Sequence, residues 1–232
     1  MNYYVDFPEY VSNSDLGALK KALRAEAEMP GLQKIYDFGN LVDAMKTEKE
    51  KVNLQDSTLT EGQRVIKFAQ DEMERATLMT RALDADPLLS LAFANCLFQY
   101  VVMRKQFKIE YDGHEIVIPA RCKYDGFIRK QLAIDIKTTA CTTQEQFEAA
   151  FDFFDYDRQG AWYMDLGQVD RMLYVGVSKK PNKRTGKYDV FKIAIVRGDA
   201  RYNSGKAKYS KLAYKWSTLI APLDEKLLKI NI

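Results

Sequence analysis

The segment that decides the fold is Ala120–Thr139, which reads ARCKYDGFIRKQLAIDIKTT. Near its end, acidic and basic residues alternate with apolar ones, in the order Ile134, Asp135, Ile136 and Lys137. Residues two apart in a β-strand lie on the same face of the sheet. The spacing therefore predicts that Asp135 and Lys137 share one face of a strand, while the two isoleucines point into the core.

Asp125 precedes this strand and marks the end of another. From Gln106 onwards, β-branched and aromatic residues alternate with polar ones, and the pairs Asp112-Gly113 and Asp125-Gly126 are typical of tight turns. The pattern predicts three strands joined by such turns. A hairpin between the last two strands would bring Asp125 to the same site as Asp135.

Two aspartates and a lysine form a set that is suited to cutting a phosphodiester bond. Carboxylate oxygens hold Mg²⁺, which polarises the phosphate and lowers the pKa of a bound water. A lysine can orient that water or offset developing charge. The alternative interpretation is an exposed Asp and Lys on an amphipathic strand, because the D-x-K fragment is short and occurs often by chance.

A second motif follows the first at a helical spacing. Gln159 and Tyr163 belong to the sequence QGAWY and are four residues apart, so on a helix they share a face and can reach a phosphate or a metal-bound water. The alternative is that the aromatic residues of this segment pack in the core, which we favour for Trp162.

The order of Asp125, D-I-K-T-T from Asp135, a helix and then Q-x-x-x-Y resembles the PD-(D/E)XK nuclease superfamily. Within it, the motifs look like the RecB-like, RecE and YqaJ-type branch, the phage-type recombination exonucleases similar to lambda exonuclease. The resemblance covers about residues 12–174. It implies an α/β fold of the restriction-endonuclease type, with a mixed central β-sheet flanked by helices and a helical N-terminal half.

The resemblance also implies a ligand set for the metal. Asp125, Asp135 and the backbone carbonyl of Ile136 would hold Mg²⁺, for which Mn²⁺ can substitute, and Lys137, Gln159 and Tyr163 would complete the catalytic set. The family usually has histidine where this chain has Asp43. Asp43 is therefore either a direct ligand or a sign of an altered site, and a solvated helix carboxylate is the alternative.

The composition of the 232-residue chain fits one domain. Hydrophobic residues make up 47% of it, which suffices for a sizeable core. We predict a single nuclease domain, with residues 1–104 mainly helical and residues 105–232 carrying the catalytic sheet, its flanking helices and a basic C-terminal part. Residues 57–83 are predicted to form one long helix with Thr60 and Gln63 in a capping box. Thr143 is predicted to cap a helix over the segment QEQFEAAFDFFD, and residues 206–228 are predicted to form an amphipathic closing helix.

Several classes of function are disfavoured by residue counts. A single histidine, His114, makes histidine-based hydrolase or zinc chemistry hard to assemble, and three cysteines are too few for a four-cysteine iron-sulfur cluster. The sequence also has no long apolar segment of the kind that spans a bilayer, so we expect a soluble, cytoplasmic protein without a membrane partner.

Positive charge is concentrated late in the chain. Residues 179–215 contain twelve Lys or Arg and two acids, and two predicted strands there are joined by the flexible hairpin tip PNKRTGK. We predict that this region contacts DNA phosphates through Lys179, Lys180, Lys183, Arg184 and Lys187. A basic surface that serves only solubility is the alternative.

The expected function is Mg²⁺-dependent exonucleolysis of double-stranded DNA, and the resemblance implies removal of the 5′ strand for recombination. It also implies a ring-like homotrimer or homotetramer and a single-strand annealing protein as partner. The alternatives are an endonuclease or structure-selective nuclease of the same superfamily, and a DNA-binding module that has lost turnover.

Overall fold

The computed structural model describes residues 8–27 and 30–221. In this part of the chain a small antiparallel sheet comprises β1 (Val52–Asn53), β2 (Thr58–Glu61) and β3 (Arg64–Lys67). A larger, mixed sheet comprises β4 (Leu97–Tyr111), β5 (His114–Ile128), β6 (Leu132–Thr139), β7 (Arg171–Pro181) and β8 (Tyr188–Val196), in that spatial order. The helices are α1 (Asn13–Leu23), α2 (Leu32–Thr47), α3 (Gln70–Ala85), α4 (Pro87–Ala94), α5 (Gln144–Phe153), α6 (Tyr156–Gly167) and α7 (Ala200–Leu219).

Helices cover both faces of the larger sheet, as the sequence predicts for an α/β fold. On one face, α1, α5, α6 and α7 pack over a core that includes Trp162, Tyr174 and Ile193. On the other face, α2, α3 and α4 pack over a core that includes Ile134 and Val175. The sheet thus lies between two apolar layers. The polar side chains of β6 therefore need hydrogen-bond or ion-pair partners where they are buried.

The pairing of β6 is different on its two sides. Along β7, all eight residues of β6 are paired in parallel, which the crossover through α5 and α6 makes possible. Along β5, the antiparallel pairs end at Gly126 and Ile134. Continuing that register would place Asp125 beside Asp135. The two strands therefore separate where the predicted catalytic aspartates lie.

The predicted long helix over residues 57–83 is wrong at its start. The chain first forms the hairpin of β2 and β3, with Gly62 in the left-handed region at φ 59°. The helix begins only after Ala69, whose backbone N–H donates to Glu72 Oε2 at 3.1 Å. The apolar spacing favours a helix from residue 57, but the turn at Gly62 and the cap by Glu72 favour a hairpin followed by a helix that begins later.

The second predicted turn is also misplaced. Asp125 and Gly126 lie inside β5, and the chain turns at residues 129–131, where Lys130 has a φ of 58°. The sheet also begins earlier than predicted, because β4 starts at Leu97 instead of after Lys105. By contrast, the turn at Asp112-Gly113 and the strands on either side of residues 182–187 are confirmed.

Predictions for the helices that follow the D-x-K strand are confirmed in outline. Thr143 caps α5 by accepting the backbone N–H of Gln146 at 3.3 Å. The final helix, predicted over residues 206–228, begins earlier, after the cap at Asp199, and its residues beyond 221 lie outside the described residues. Among the helices of the described residues, none is both long and apolar enough to cross a bilayer.

Candidate active site

The opening between β5 and β6 is bridged by one side chain. Asp125 Oδ2 accepts the backbone N–H of Ile136 at 2.6 Å. In a β-strand, the N–H and C=O of one residue point towards the same neighbouring strand. The carbonyl oxygen of Ile136 therefore faces the same opening as the Asp125 carboxylate.

Asp135 is buried and is held from two directions. Its Oδ1 accepts a hydrogen bond from Gln159 Nε2 at 2.7 Å, and its Oδ2 forms an ion pair with Lys137 Nζ at 2.6 Å. Three of the predicted site residues are thus in direct contact. The side chains of Asp135 and Lys137 share one side of β6, while Ile134 and Ile136 pack in the core of the opposite face, as the spacing predicts.

Lys137 lies between a carboxylate and an aromatic ring. Its Nζ is 5.3 Å from the centre of the Tyr156 ring, at the start of α6. Burial acts to lower the pKa of Lys137, but the negative charge of Asp135 and the groups around it outweigh burial and raise that pKa. Lys137 is consequently held as a cation against Asp135.

The site holds three carboxyl groups and one lysine, which is in direct contact with Asp135. Burial, followed by the negative charges of Asp43 and Asp135, raises the pKa of Asp125 well above its ordinary range. The pKa of Asp43 is raised to about 6, chiefly by burial and against the lowering effect of Lys123. Because the carboxyl groups of Asp43 and Asp125 lie near that of Asp135, all three are not easily ionised together. Lys137 is the lysine in direct contact with Asp135, and an added cation would favour the ionised forms of the carboxyl groups.

Asp43 reaches this region from α2. Its Oδ2 accepts from Gln99 Nε2 at 2.9 Å, and its Oδ1 accepts from Thr47 Oγ1 at 3.2 Å. These bonds fix the side chain of Asp43, so it is not a freely solvated helix carboxylate. Gln99, which it contacts, lies opposite Asp125 in the register of β4 and β5, so Asp43 lies at the edge of the same site.

The helix α6 carries both residues of the second motif. Gln159 contacts Asp135, whereas Tyr163 lies one turn further along and packs edge-on against Tyr124, with ring centres 5.2 Å apart. Between them, Trp162 is fully buried and donates from its Nε1 to the backbone oxygen of Arg121 at 3.2 Å. The core role predicted for Trp162 is confirmed.

Three residues that the sequence did not point to also surround the site. Gln99 lies opposite Asp125 in the register of β4 and β5 and has a left-handed φ of 51°. Tyr156 and Tyr174 stack with an interplanar angle of 10°, and Tyr174 is paired with Asp135 across β6 and β7. The interval of three between Tyr156 and Gln159 on a helix is the only sequence signal that could have indicated one of them.

The donor set can be tested for its fit to a metal ion. Within residues 8–27 and 30–221, no three His, Cys, Asp or Glu side chains are grouped closely enough to hold an ion by themselves. Asp125, Asp135 and the Ile136 carbonyl nevertheless offer the hard oxygen atoms that Mg²⁺ takes, and an added cation would favour the ionised form of the buried Asp125. This set fits a magnesium ion that keeps several waters, provided that Lys137 moves off Asp135 Oδ2.

The predicted basic residues fall into two groups. Lys179 is half-buried, with its Nζ 5.9 Å from the centre of the Phe38 ring, and burial followed by the nearby Arg75 lowers its pKa. The other four residues are exposed on the end of β7 and the turn after it: Lys180, Lys183, Arg184 and Lys187. The side chain of Lys179 thus lies against α2, away from the four exposed basic residues.

The turn itself is more ordered than predicted. Asn182 Oδ1 accepts the backbone N–H of Arg184 at 2.9 Å, and Gly186 N donates to the Asn182 carbonyl at 2.8 Å. These bonds close the tip. At roughly 3.3 Å per residue, the segment from Gly176 to Pro181 projects the tip about 17 Å beyond the part of β7 that lies beside Lys137.

Comparison with solved structures shows the same fold in one protein, and weaker likenesses in two others. The chain superposes on a candidate exonuclease from Eubacterium rectale with a TM-score of 0.58 and 14% identity, over 93% of this chain and 83% of the other. A phage-related exonuclease from Haemophilus somnus gives a TM-score of 0.38 at 14% identity, over 91% and 84% of the two chains. An alkaline exonuclease from Laribacter hongkongensis gives 0.39 at 15% identity, over 96% and 95%.

The comparisons at the level of sequence are negative. No family model matches the chain, and no curated protein matches it. At this identity, the structural likeness establishes the fold, and it confirms the expected architecture of a mixed sheet between helices. The activity must be argued from the site.

Proposed function

We propose that this protein is a metal-dependent nuclease that hydrolyses phosphodiester bonds in DNA. The observation that carries the proposal is the meeting of Asp125, Asp135 and Lys137 where β5 and β6 separate, in a site where the pKa of Asp125 is raised by burial and by neighbouring carboxylates. Its fold neighbours are proteins described as exonucleases, which supports the same class of reaction.

Each residue of the site has a proposed role. Asp125, Asp135 and the Ile136 carbonyl would hold Mg²⁺ or Mn²⁺, with Asp43 as an additional carboxylate. Such an ion polarises the scissile phosphate and lowers the pKa of a bound water. Gln159 orients Asp135 through its hydrogen bond, and Tyr163, one turn further along α6, would contact the DNA backbone.

Lys137 has a separate role. It is held as a cation next to Asp135, and on release from that carboxylate its ammonium group can orient the attacking water or offset charge that develops on the phosphate. The Tyr156 ring beside it limits the directions in which it can move.

We further propose double-stranded DNA ends as the substrate, with degradation of the 5′-ended strand in recombination. This finer assignment rests on the D-x-K-T-T and Q-x-x-x-Y motifs and on the exonuclease-like fold. The exposed tip with Lys180, Lys183, Arg184 and Lys187 would contact backbone phosphates, with Lys179 at its base. A ring-like trimer or tetramer, a single-strand annealing protein as partner and a cytoplasmic location complete the proposal.

The test is a cleavage assay with end-labelled linear duplex DNA and the same DNA as a covalently closed circle. We expect Mg²⁺-dependent release of nucleotides from the linear DNA, none from the circle, and no release by Lys137→Ala. Cleavage of the circle would instead assign an endonuclease, and a label that is lost only from 3′ ends would overturn the polarity. A wild-type protein that binds duplex DNA but is inert with Mg²⁺ and Mn²⁺ would mean a binding module without turnover.

A further inference from the structure

Two aromatic residues protrude from the molecule close to the candidate active site. Phe153, the last residue of α5, is 80% exposed, the highest value for a large apolar side chain in the part of the chain that the structure describes. Its neighbour Phe154 is 55% exposed, and the two rings meet edge to face with centres 5.0 Å apart. Exposing two phenylalanines to water is unfavourable, so their position calls for an explanation.

These rings are continuous with the site. The Phe154 ring stacks on Tyr156, with centres 5.7 Å apart and an interplanar angle of 28°. Tyr156 in turn stacks on Tyr174 and faces the ammonium group of Lys137. One aromatic ring therefore separates Phe154 from Lys137.

The turn that carries the two rings is fixed in place. Asp155 follows them with a left-handed φ of 53°, and its carboxylate forms ion pairs with Lys20 of α1 and Lys208 of α7. A rigid support lowers the entropy that a surface loses on binding. The exposed rings are thus presented by an ordered turn between α5 and α6.

We propose that Phe153 and Phe154 form a stacking platform for the bases of an unpaired DNA strand whose backbone lies in the active site. Every base has an apolar face, so an aromatic platform binds single strands without reading their sequence. The stack that runs from Phe154 to Tyr156 would guide such a strand towards Lys137. This inference rests on the proposed function for the choice of DNA as the ligand.

A second copy of the chain is the main rival for covering these rings. A fully buried aromatic side chain removes roughly 150–250 Å² from water, whereas a stable interface needs about 800 Å² on each partner. The two rings alone fall short of that area. Their adjacency to the active site also favours the substrate as the occupant.

The experiment measures binding of two fluorescein-labelled oligomers, oligothymidylate and an abasic oligomer of equal length, in EDTA so that no strand is cut. The wild type should prefer oligothymidylate, and Phe153→Ala with Phe154→Ala should weaken its binding about tenfold while leaving the abasic oligomer unchanged. Phe153→Trp should retain the preference. Leu91→Ala is the matched control and should change neither affinity, since this apolar residue of α4 has an exposure of 67%, between those of the two phenylalanines.

The platform would be overturned if the double variant kept the wild-type preference for oligothymidylate, or if it lost affinity equally for both oligomers. A mass of the double variant in sedimentation velocity that differs from that of the wild type would also overturn it, because the rings would then be a subunit contact. These outcomes are separable from those for the nuclease. A wild type that shows base preference but no cleavage refutes only the proposed function, whereas normal cleavage with no base preference refutes only the platform.

Discussion

The molecule contains two groups of buried or half-buried aspartates close to α6, and they are balanced in different ways. At the start of α6, Asp155 and Asp157 contact Lys20 and Lys208. Burial by itself would raise the pKa of Asp155, but hydrogen bonds from Lys20 and Lys208 outweigh burial and lower it. In the candidate active site, the pKa values of Asp43 and Asp125 are raised instead.

The difference separates a structural cluster from the candidate active site. The balanced cluster, consisting of Lys20, Asp155, Asp157 and Lys208, joins α1, α6 and α7. It contributes to stability because each carboxylate meets a cation. The acidic site, consisting of Asp43, Asp125, Asp135 and Lys137, brings like charges together and lowers the stability of the metal-free protein. Such a cost is expected where a protein keeps a place for a cation that comes from outside.

The largest effect is expected from Asp125→Asn. Loss of a metal-binding carboxylate should lower the rate of DNA cleavage at least about a thousandfold, since a bound metal contributes several kcal/mol to catalysis. The same variant should unfold at a higher temperature in EDTA, because it removes repulsion and keeps an acceptor for the Ile136 N–H. A variant that cleaves at the wild-type rate would remove Asp125 from the mechanism.

The matching change in the balanced cluster should have the opposite pattern. Asp157→Ala removes the acceptor of the Ser204 hydroxyl and leaves Lys208 with Asp155 as its remaining carboxylate partner, so it should lower the free energy of unfolding by about 3 kcal/mol. Activity per folded molecule should stay within a factor of a few of the wild type. Chemical denaturation together with initial rates measures both quantities, and an unchanged stability would contradict the structural role of the cluster.

The two groups should also differ in their response to pH. Asp43 has a folded-state pKa of about 6, above its unfolded value of 3.8. Protonation therefore favours the folded state, and the stability that Asp43 contributes at low pH is lost as pH rises from about 4 to 6, by up to about 3 kcal/mol. Denaturation in EDTA across this range should show the slope, and Asp43→Asn should reduce it, leaving the part that the raised pKa of Asp125 contributes.

Asp155 has the reverse sign. Its lowered pKa means that its contribution is present above pH 3.8 and is lost as pH falls below that value. Asp155→Asn should therefore reduce acid sensitivity below pH 3.8 and leave the slope between pH 4 and 6 unchanged. A slope that depends on Asp155 instead of Asp43 would reverse the assignment of the two groups.

The smallest effect is expected from the metal itself. Mg²⁺ at about a hundred times its dissociation constant should stabilise the wild type by about 2.7 kcal/mol, a rise in Tm of roughly 5–10 °C. Asp125→Asn should abolish this rise, and Lys208→Ala should keep it despite a lower starting Tm. Thermal unfolding with increasing Mg²⁺ measures the shift, and an equal shift in Asp125→Asn would show binding elsewhere.

The parts of the fold that could be predicted from the sequence depend on local rules. The spacing of two placed Asp135 and Lys137 on the same side of β6, and the hydroxyl of Thr143 marked the start of α5. Residues 57–83 were harder, because their apolar spacing suits a helix while Gly62 allows a turn. Packing decides between the hairpin and the helix. In the hairpin, Leu59 is buried in the same apolar cluster as residues of α2 and α3.

The sequence by itself determined which residues are candidates for the chemistry and which of them share a strand or a helix. Only the tertiary structure decided that β5 and β6 separate at Asp125, that Gln99 reaches Asp43, and that Tyr156 lies against Lys137. These contacts join residues far apart in the chain, and their charge balance depends on burial. Neither distance nor burial is contained in a local pattern, because both arise from how the helices pack on the sheet.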